Sequence, residues 1–376
     1  MKVKYYNPEI LEELKVKEPQ QFLKASKKFP KIFIWLERKD YPTINQLIEL
    51  GKIFNIPFGY FFLKNIPERS LPLPHYRTIE IEEIYKPSPE LLDTIYLAQR
   101  MQFFIKDLLI QWGHNKLDFA GKFQLGDPVE NIREELLNIL KLNKDWQEKV
   151  NTWSEAFSLL IKKTEDAGIF VLLNGIVGNN TKRKLLVDEF RGFVLFDEIA
   201  PFIFINNNDS VAAKIFTLIH EIVHILIGKS ASFDLRDFQP ANNQIELYCN
   251  QSAAEFLVPK NILQEKYKET KGDVNVLAKH FKVSEIVILR RLLDNNLITK
   301  ELFYNLLNDY RVKEKKLIKQ EGGSFYNTVR YRLSKRFLNM LILALKQNII
   351  LYREATKVTK LKLHTLEKLI GHSLNK

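Results

Sequence analysis

Two histidines and a glutamate in this chain stand at a spacing that can organise a metal ion. His220 and His224 are one helical turn apart, so both imidazoles lie on the same face of any helix that carries them. Placed so, they can hold one Zn2+ at about 2.0–2.1 Å each. Glu221 is rotated from His220 by about 100° around the helix axis and falls beside the metal rather than on it. This is the HExxH pattern, in which the glutamate is a general base and zinc lowers the pKa of water toward ~7. The chemistry it supports is attack of water on a peptide carbonyl. The plainer alternative is two satisfied core histidines with Glu221 in an ion pair.

The segment from Asp209 to Gly228 reads as the helix that positions them. Asp209 or Ser210 can cap its start, and Gly228 suits the residue just past its end. It is apolar nearly all round and should be buried. Unpartnered polar groups in such a helix would cost a few kcal/mol each, which a metal would relieve. A catalytic zinc site usually has three protein ligands and one open position. The metzincin spacing would need Gly at 227 and His at 230, but the chain has Ile227 and Ser230. His280, His364 and His372 lie in unsuitable segments. The next predicted helix, Asn243 to Val258 before Pro259, offers Glu246 and Glu255, and spacing alone does not separate them. Its Ser252, Ala253 and Ala254 are small enough for close packing.

Around these helices the pattern changes with position. Residues 1–70 read as short helices, with Pro42-Thr43 opening one of them and Thr43 as its cap. Pro72-Leu73-Pro74 reads as a linker. Residues 88–165 read as mostly helical, with Asp93, Asp107 and Glu134-Glu135 on solvated faces. Three short β-rich runs follow, Ile169–Leu173, Gly192–Phe196 and Phe202–Ile205, the last ended by Asn206-Asn207-Asn208. Helical periodicity then returns, interrupted by a Lys-rich stretch from Lys313 to Lys319 ahead of Gly322-Gly323, which reads as an exposed connection.

Composition narrows the class. The chain has 376 residues, 45% hydrophobic and 27% charged, which fits a soluble globular protein of two or three domains. There is no run of 18 apolar residues, so no membrane span is expected. The start lacks the apolar region of a signal peptide, and the single Cys249 rules out an internal disulfide. Both point to a reducing, cytoplasmic setting. A net charge of +12 permits nucleic acid or acidic partners, although an excess of Lys over Arg is equally a compositional bias.

The run Phe216-Thr217-Leu218-Ile219-His220-Glu221-Ile222-Val223-His224 resembles the FTLxHExxH core of the ImmA/IrrE family of metallo-endopeptidases. Glu246 through Pro259 is similar to that family's second motif, E-x-x-A-N-x-F-A-A-E-L-L-M-P, with Cys249 where Ala is usual and Ser252 where Phe is usual. Arg191-Gly192-Phe193 and Pro201 through Asn206 resemble its RGF and P-x-I-x-I-N strands. Trp35, Pro42-Thr43, Gln46-Leu47, Pro57-Phe58-Gly59 and Leu73-Pro74 with Arg77-Thr78 resemble the helix-turn-helix-derived N-terminal part of larger members. Leu277-Ala278, Phe281 through Ser284 and Arg291-Leu292 resemble the helical segment that follows the core.

The resemblance implies one zinc per chain held by His220, His224 and Glu246, with Glu221 as the catalytic base. It also implies an α+β fold that is mostly helical, with a zincin-like core containing a small sheet at residues 151–270. Flanking it would be a degenerate helix-turn-helix-like region at 1–70, a helical support at 71–150 and a helical C-terminal region at 271–376. The implied substrate is a cytoplasmic DNA-binding repressor or antitoxin. Two rivals are a toxin or phage-defence effector using the same zinc site, and a non-enzymatic DNA-binding regulator with a structural zinc. Nucleic acid is a candidate partner, but the helix Ile44–Phe54 offers base edges only Asn45, Gln46 and Lys52. The aromatics near it (Phe29, Phe33, Trp35, Phe54, Phe58, Tyr60, Phe61, Phe62) read as packing. The stretch Val274–Leu293, with Arg290-Arg291, reads as a scaffold helix pair, or else as a nucleic-acid contact or a carbonyl-polarising Arg. Tyr248 is a further candidate oxyanion donor.

Overall fold

The computed structural model describes residues 2–54, 56–67, 87–228, 231–233, 244–314 and 332–374. The Pro72-Leu73-Pro74 linker, Arg77-Thr78, Ser230, Asn243, most of the Lys-rich stretch and Gly322-Gly323 lie outside them. The chain divides into two compact units, Met1–Leu71 and Pro72–Lys376.

In the first unit four helices, α1 (Glu9–Lys17), α2 (Pro19–Lys28), α3 (Ile32–Leu36) and α4 (Ile44–Phe54), precede a 3-10 turn at Phe58–Phe62. Thr43 starts α4 as its spacing predicts. Its hydroxyl accepts the Gln46 N–H at 3.3 Å, and its own N–H donates to the Gln46 side chain at 2.8 Å. Trp35, Phe54 and Phe61 are buried with Ile10, Leu11, Leu47 and Leu50, whereas Phe33, Phe58 and Phe62 are exposed. The aromatics are therefore divided between core and surface.

The second unit is α+β. It begins with the long α5 (Pro89–Gln111), then α6 (Val129–Ile139) and α7 (Trp153–Asp166). The strands are β1 (Phe170–Asn174), β2 (Ile176–Val177), β3 (Asn180–Lys184), β4 (Gly192–Leu195) and β5 (Phe202–Asn206). Helix α8 (Val211–Leu226), strand β6 (Ala231–Phe233) and helix α9 (Gln244–Leu257) follow. The remainder is α10 (Lys260–Glu269), α11 (Val274–Phe281), α12 (Glu285–Asp294), α13 (Lys300–Glu314), α14 (Lys335–Lys346), α15 (Tyr352–Thr359) and α16 (Leu363–Leu374).

The main sheet has strand order β1-β5-β4-β6, with β1 parallel to β5 and the other pairs antiparallel. Sequence reading finds β1, β4 and β5 but neither β6 nor the separate β2–β3 hairpin. The hairpin strands are short, and β3 is a polar, exposed run (Asn180–Lys184) with no apolar period to mark it. In β1, β4 and β5 every residue is buried, because α8 covers the sheet and further helices enclose it. One hydrophobic core runs from Ile132 through α7, the sheet, α8 and α9 to Leu307 in α13, so helices α11 to α13 share the interior that holds α8.

Candidate metal centre

Helix α8 is fixed before its polar residues are considered. The Ser210 hydroxyl accepts the Ala213 N–H at 3.2 Å, and Gly228 beyond the other end adopts φ +71°. Every residue from Lys214 to Leu226 is buried, including His220, Glu221 and His224 at 0% exposure.

Helix α9 packs on α8 and brings Glu246 to the two imidazoles. The Glu246 carboxylate lies 3.1 Å from His220 Nε2 and 3.3 Å from His224 Nε2, and the two Nε2 atoms are 3.0 Å apart. Among the described residues, His220, His224 and Glu246 form the one cluster with metal-ligand chemistry, their ligand atoms all within 4.8 Å. Ligands about 2.0–2.1 Å from a tetrahedral zinc lie about 3.3 Å from one another. The three donors thus have both the chemistry and the mutual spacing of a zinc site. Asn250, one turn beyond Glu246 on α9, lies close to the His220 side chain.

Electrostatics separate the two carboxylates. Burial raises the Glu246 carboxyl, but hydrogen bonds and charge from His220 and His224 outweigh it and hold Glu246 well below the usual carboxylate range. Burial pushes His220 down, toward the neutral imidazole that ligates metals. Glu221 goes the other way: burial, reinforced by the charge of Glu246, raises it well above its ordinary value. Neither carboxylate oxygen of Glu221 has a hydrogen-bond partner among the described residues, so the ion pair of the plainer reading is absent there. A buried, unpaired carboxylate of this kind is costly to the fold and belongs at functional sites.

Strand β4 passes close beneath this helix. A Cβ on Gly192 would lie 2.6 Å from Thr217 Cγ2, 2.8 Å from the Phe204 carbonyl and 3.4 Å from Glu221 Oε1. Only a residue without a side chain lets α8 and the Glu221 carboxylate settle here. The sequence reading names Gly192 only within the Arg191-Gly192-Phe193 resemblance and Asn250 only within the second motif, with no role for either. Asn250 carries a signal, since it lies one turn from Glu246 and shares its face. The role of Gly192 depends on a strand and helix meeting across 25 residues of sequence and has no local mark.

The other candidates are committed elsewhere. Glu255 forms an ion pair with Arg291, whose Nε also donates to the Val258 carbonyl at 2.9 Å. Arg290 pairs with Asp294 at 3.0 Å. These contacts make α11 and α12, turning at Lys282 in the left-handed region with φ +56°, a packed scaffold pair rather than a source of a carbonyl-polarising Arg. The Tyr248 hydroxyl donates to the Asp127 carbonyl at 2.9 Å and is not free to serve an oxyanion. Burial and the neighbouring carboxylates push the Cys249 thiol well up, and Cys249 stands outside the ligand cluster.

An α8-like helix carrying two histidines, laid on a small mixed sheet and met by a carboxylate from the next helix, defines a zincin-like metallopeptidase core. Residues 164–293 match the M78 peptidase family model, described as an IrrE N-terminal-like domain. The matched stretch, about a third of the chain, contains the whole candidate centre. No curated protein matches the sequence. Among the described residues no helix is long and apolar enough to cross a membrane.

Proposed function

We propose that the protein is a zinc-dependent endopeptidase that cuts a particular cytoplasmic protein, a DNA-binding repressor or antitoxin, with Zn2+ on His220, His224 and Glu246. The observation that carries this reading is the convergence of those three donors beside a fully buried Glu221 carboxylate that no group among the described residues satisfies. Zinc bound there would supply Lewis acidity, polarising the scissile carbonyl and acidifying water near neutral pH. Glu221 takes the proton of the attacking water and returns it to the leaving amine nitrogen. Glu246, held low by His220 and His224, is suited to serve as an ionised ligand. Among the described residues the cluster offers three protein ligands rather than four, which favours a catalytic zinc with an open position over a structural one.

Elemental analysis of purified protein tests the ligand set. Wild type and Glu255→Ala should each carry about one zinc per chain, and Glu246→Ala should lose it. Zinc retained by Glu246→Ala but lost by Glu255→Ala would overturn the ligand set. Glu221→Gln should keep zinc and lose about 10²- to 10⁴-fold in hydrolysis, the range of a general base. Cleavage of a DNA-binding repressor or antitoxin encoded beside this protein, absent with Glu221→Gln, tests the substrate. Failure of zinc-loaded protein to cut any such neighbour sinks that part of the proposal.

A further inference from the structure

We infer that the cleft between α5, the β2–β3 hairpin and the end of α15 binds a phosphate-bearing small molecule of nucleotide size. The cleft encloses about 630 Å³, inside the range of about 300–1,000 Å³ typical of small-molecule sites. None of the metal-centre residues lines it.

Three separate pieces of chain build it. From α5, Asp93, Tyr96, Leu97 and Arg100 project from one helix face at three- and four-residue spacing. The hairpin contributes its turn and Lys182. Lys360, the C-cap of α15 in the left-handed region at φ +57°, closes the third side. The walls are tied to one another. Arg183 on the hairpin reaches Glu90 at 3.0 Å and Asp93 at 2.7 Å on α5, and the Asn179 amide donates to the Lys360 carbonyl at 3.2 Å. The site is therefore preorganised, and no wall must be assembled by the ligand.

Charge decides the ligand class. Among the described residues, Arg183 pairs with the carboxylates of Glu90 and Asp93. Among the described residues no carboxylate pairs with Arg100, Lys182 or Lys360, so three cations face one cleft uncompensated. Lys360 is held below its ordinary value by burial and then by the charges of Arg100 and Lys357, which is the crowding expected of an anion site without its anion. A fork from Arg100 and point charges from the two lysines match the oxygens of a phosphate or polyphosphate. Tyr96 and Leu97 on the same wall supply apolar and aromatic surface for a planar ring. A bare inorganic anion would leave that surface and most of the volume unused.

The test is calorimetric titration of the full chain with ATP, with inorganic phosphate and with adenosine. It is run in wild type and in Glu246→Ala, so that nucleotide contact with metal is not counted. ATP should bind in both backgrounds, phosphate more weakly, and adenosine not measurably. The double variant Arg100→Ala/Lys360→Ala should weaken ATP by about tenfold or more, equivalent to about 1.4 kcal/mol. Lys182→Glu, a single exposed change on the hairpin, should weaken ATP in a protein whose circular dichroism is unaltered. Lys260→Ala/Lys268→Ala, exposed elsewhere, should bind as wild type does. Absence of ATP and phosphate binding, or equal affinity in the cleft variants and the control, would overturn the inference.

Discussion

At the scale of single residues, the site depends on a side chain that is missing as much as on those present. Gly192→Ala places a methyl group at 2.6 Å from Thr217 and 2.8 Å from a strand carbonyl, beneath the Glu221 carboxylate. Overpacking of this kind costs about 1–3 kcal/mol. We expect Gly192→Ala to retain zinc, to unfold at lower urea than wild type and to lose activity more than substrate affinity. Adding Thr217→Ser removes the nearest methyl and should recover part of both losses. A Gly192→Ala protein with wild-type stability and activity would show that the close approach is dispensable. The histidines and Glu221 are legible in sequence because they fall within one helical turn, and the two candidate glutamates because they lie on the next predicted helix. Spacing does not separate Glu246 from Glu255; what sets them apart in the structure is Arg291, which pairs with Glu255 from a helix that follows much later.

At the scale of elements, several buried polar ties fix the sheet against its helices. The Gln102 amide on α5 donates to the carbonyls of Leu195 at 2.8 Å and Ala200 at 2.9 Å, holding the loop between β4 and β5. Asp197 in that loop accepts the N–H groups of Ile199 and Ala200, each at 2.9 Å, and pairs with Lys106 of α5. Burial raises Asp197, but the Lys106 and backbone hydrogen bonds outweigh it, so its folded pKa lies below the ordinary value of 3.8. A lowered carboxylate stabilises the fold above its unfolded pKa and loses that contribution as pH falls through the folded one. Asp197→Asn should therefore cost about 1–2 kcal/mol in urea unfolding at pH 7, with the deficit shrinking as pH falls below about 4. A deficit that stays constant down to pH 3 would rule out the carboxylate charge as its source. Strands β1, β4 and β5 are legible as apolar runs, whereas β6 and the hairpin are not. Their pairing is decided by neighbours in space and not by their own residue pattern.

At the scale of the molecule, the peptidase core does not end with the metal ligands. The Gln147 amide donates to the carbonyls of Leu257 at 2.6 Å and Phe281 at 3.3 Å, and Trp153 Nε1 donates to Val283 at 3.1 Å. Leu277, Phe281, Ile288, Leu292, Phe303 and Leu307 are buried in the same core as α8 and α9. A chain stopped after residue 270 exposes those partners and leaves the Gln147 and Trp153 donors short of acceptors. Such a fragment should show no cooperative thermal transition by circular dichroism, and a sharp transition would show that α11 to α13 are an appendage. The dominance of helix, interrupted by a few short strands, is legible from periodicity. The continuity of the core across residue 270 is not, because it is made of contacts between helices distant in sequence.

The division of the three donors between α8 and α9 bears on how much protein exists, apart from what it catalyses. An unfolded chain presents His220 and His224 without Glu246 in reach, so zinc on this triad would favour the native state through linkage. At free zinc a hundredfold above its dissociation constant, that is about 2.7 kcal/mol, a sizeable share of a net stability of about 5–15 kcal/mol. Zinc supply would then set the pool of chains that escape proteolytic turnover, and scarcity would silence this protein first by removing it.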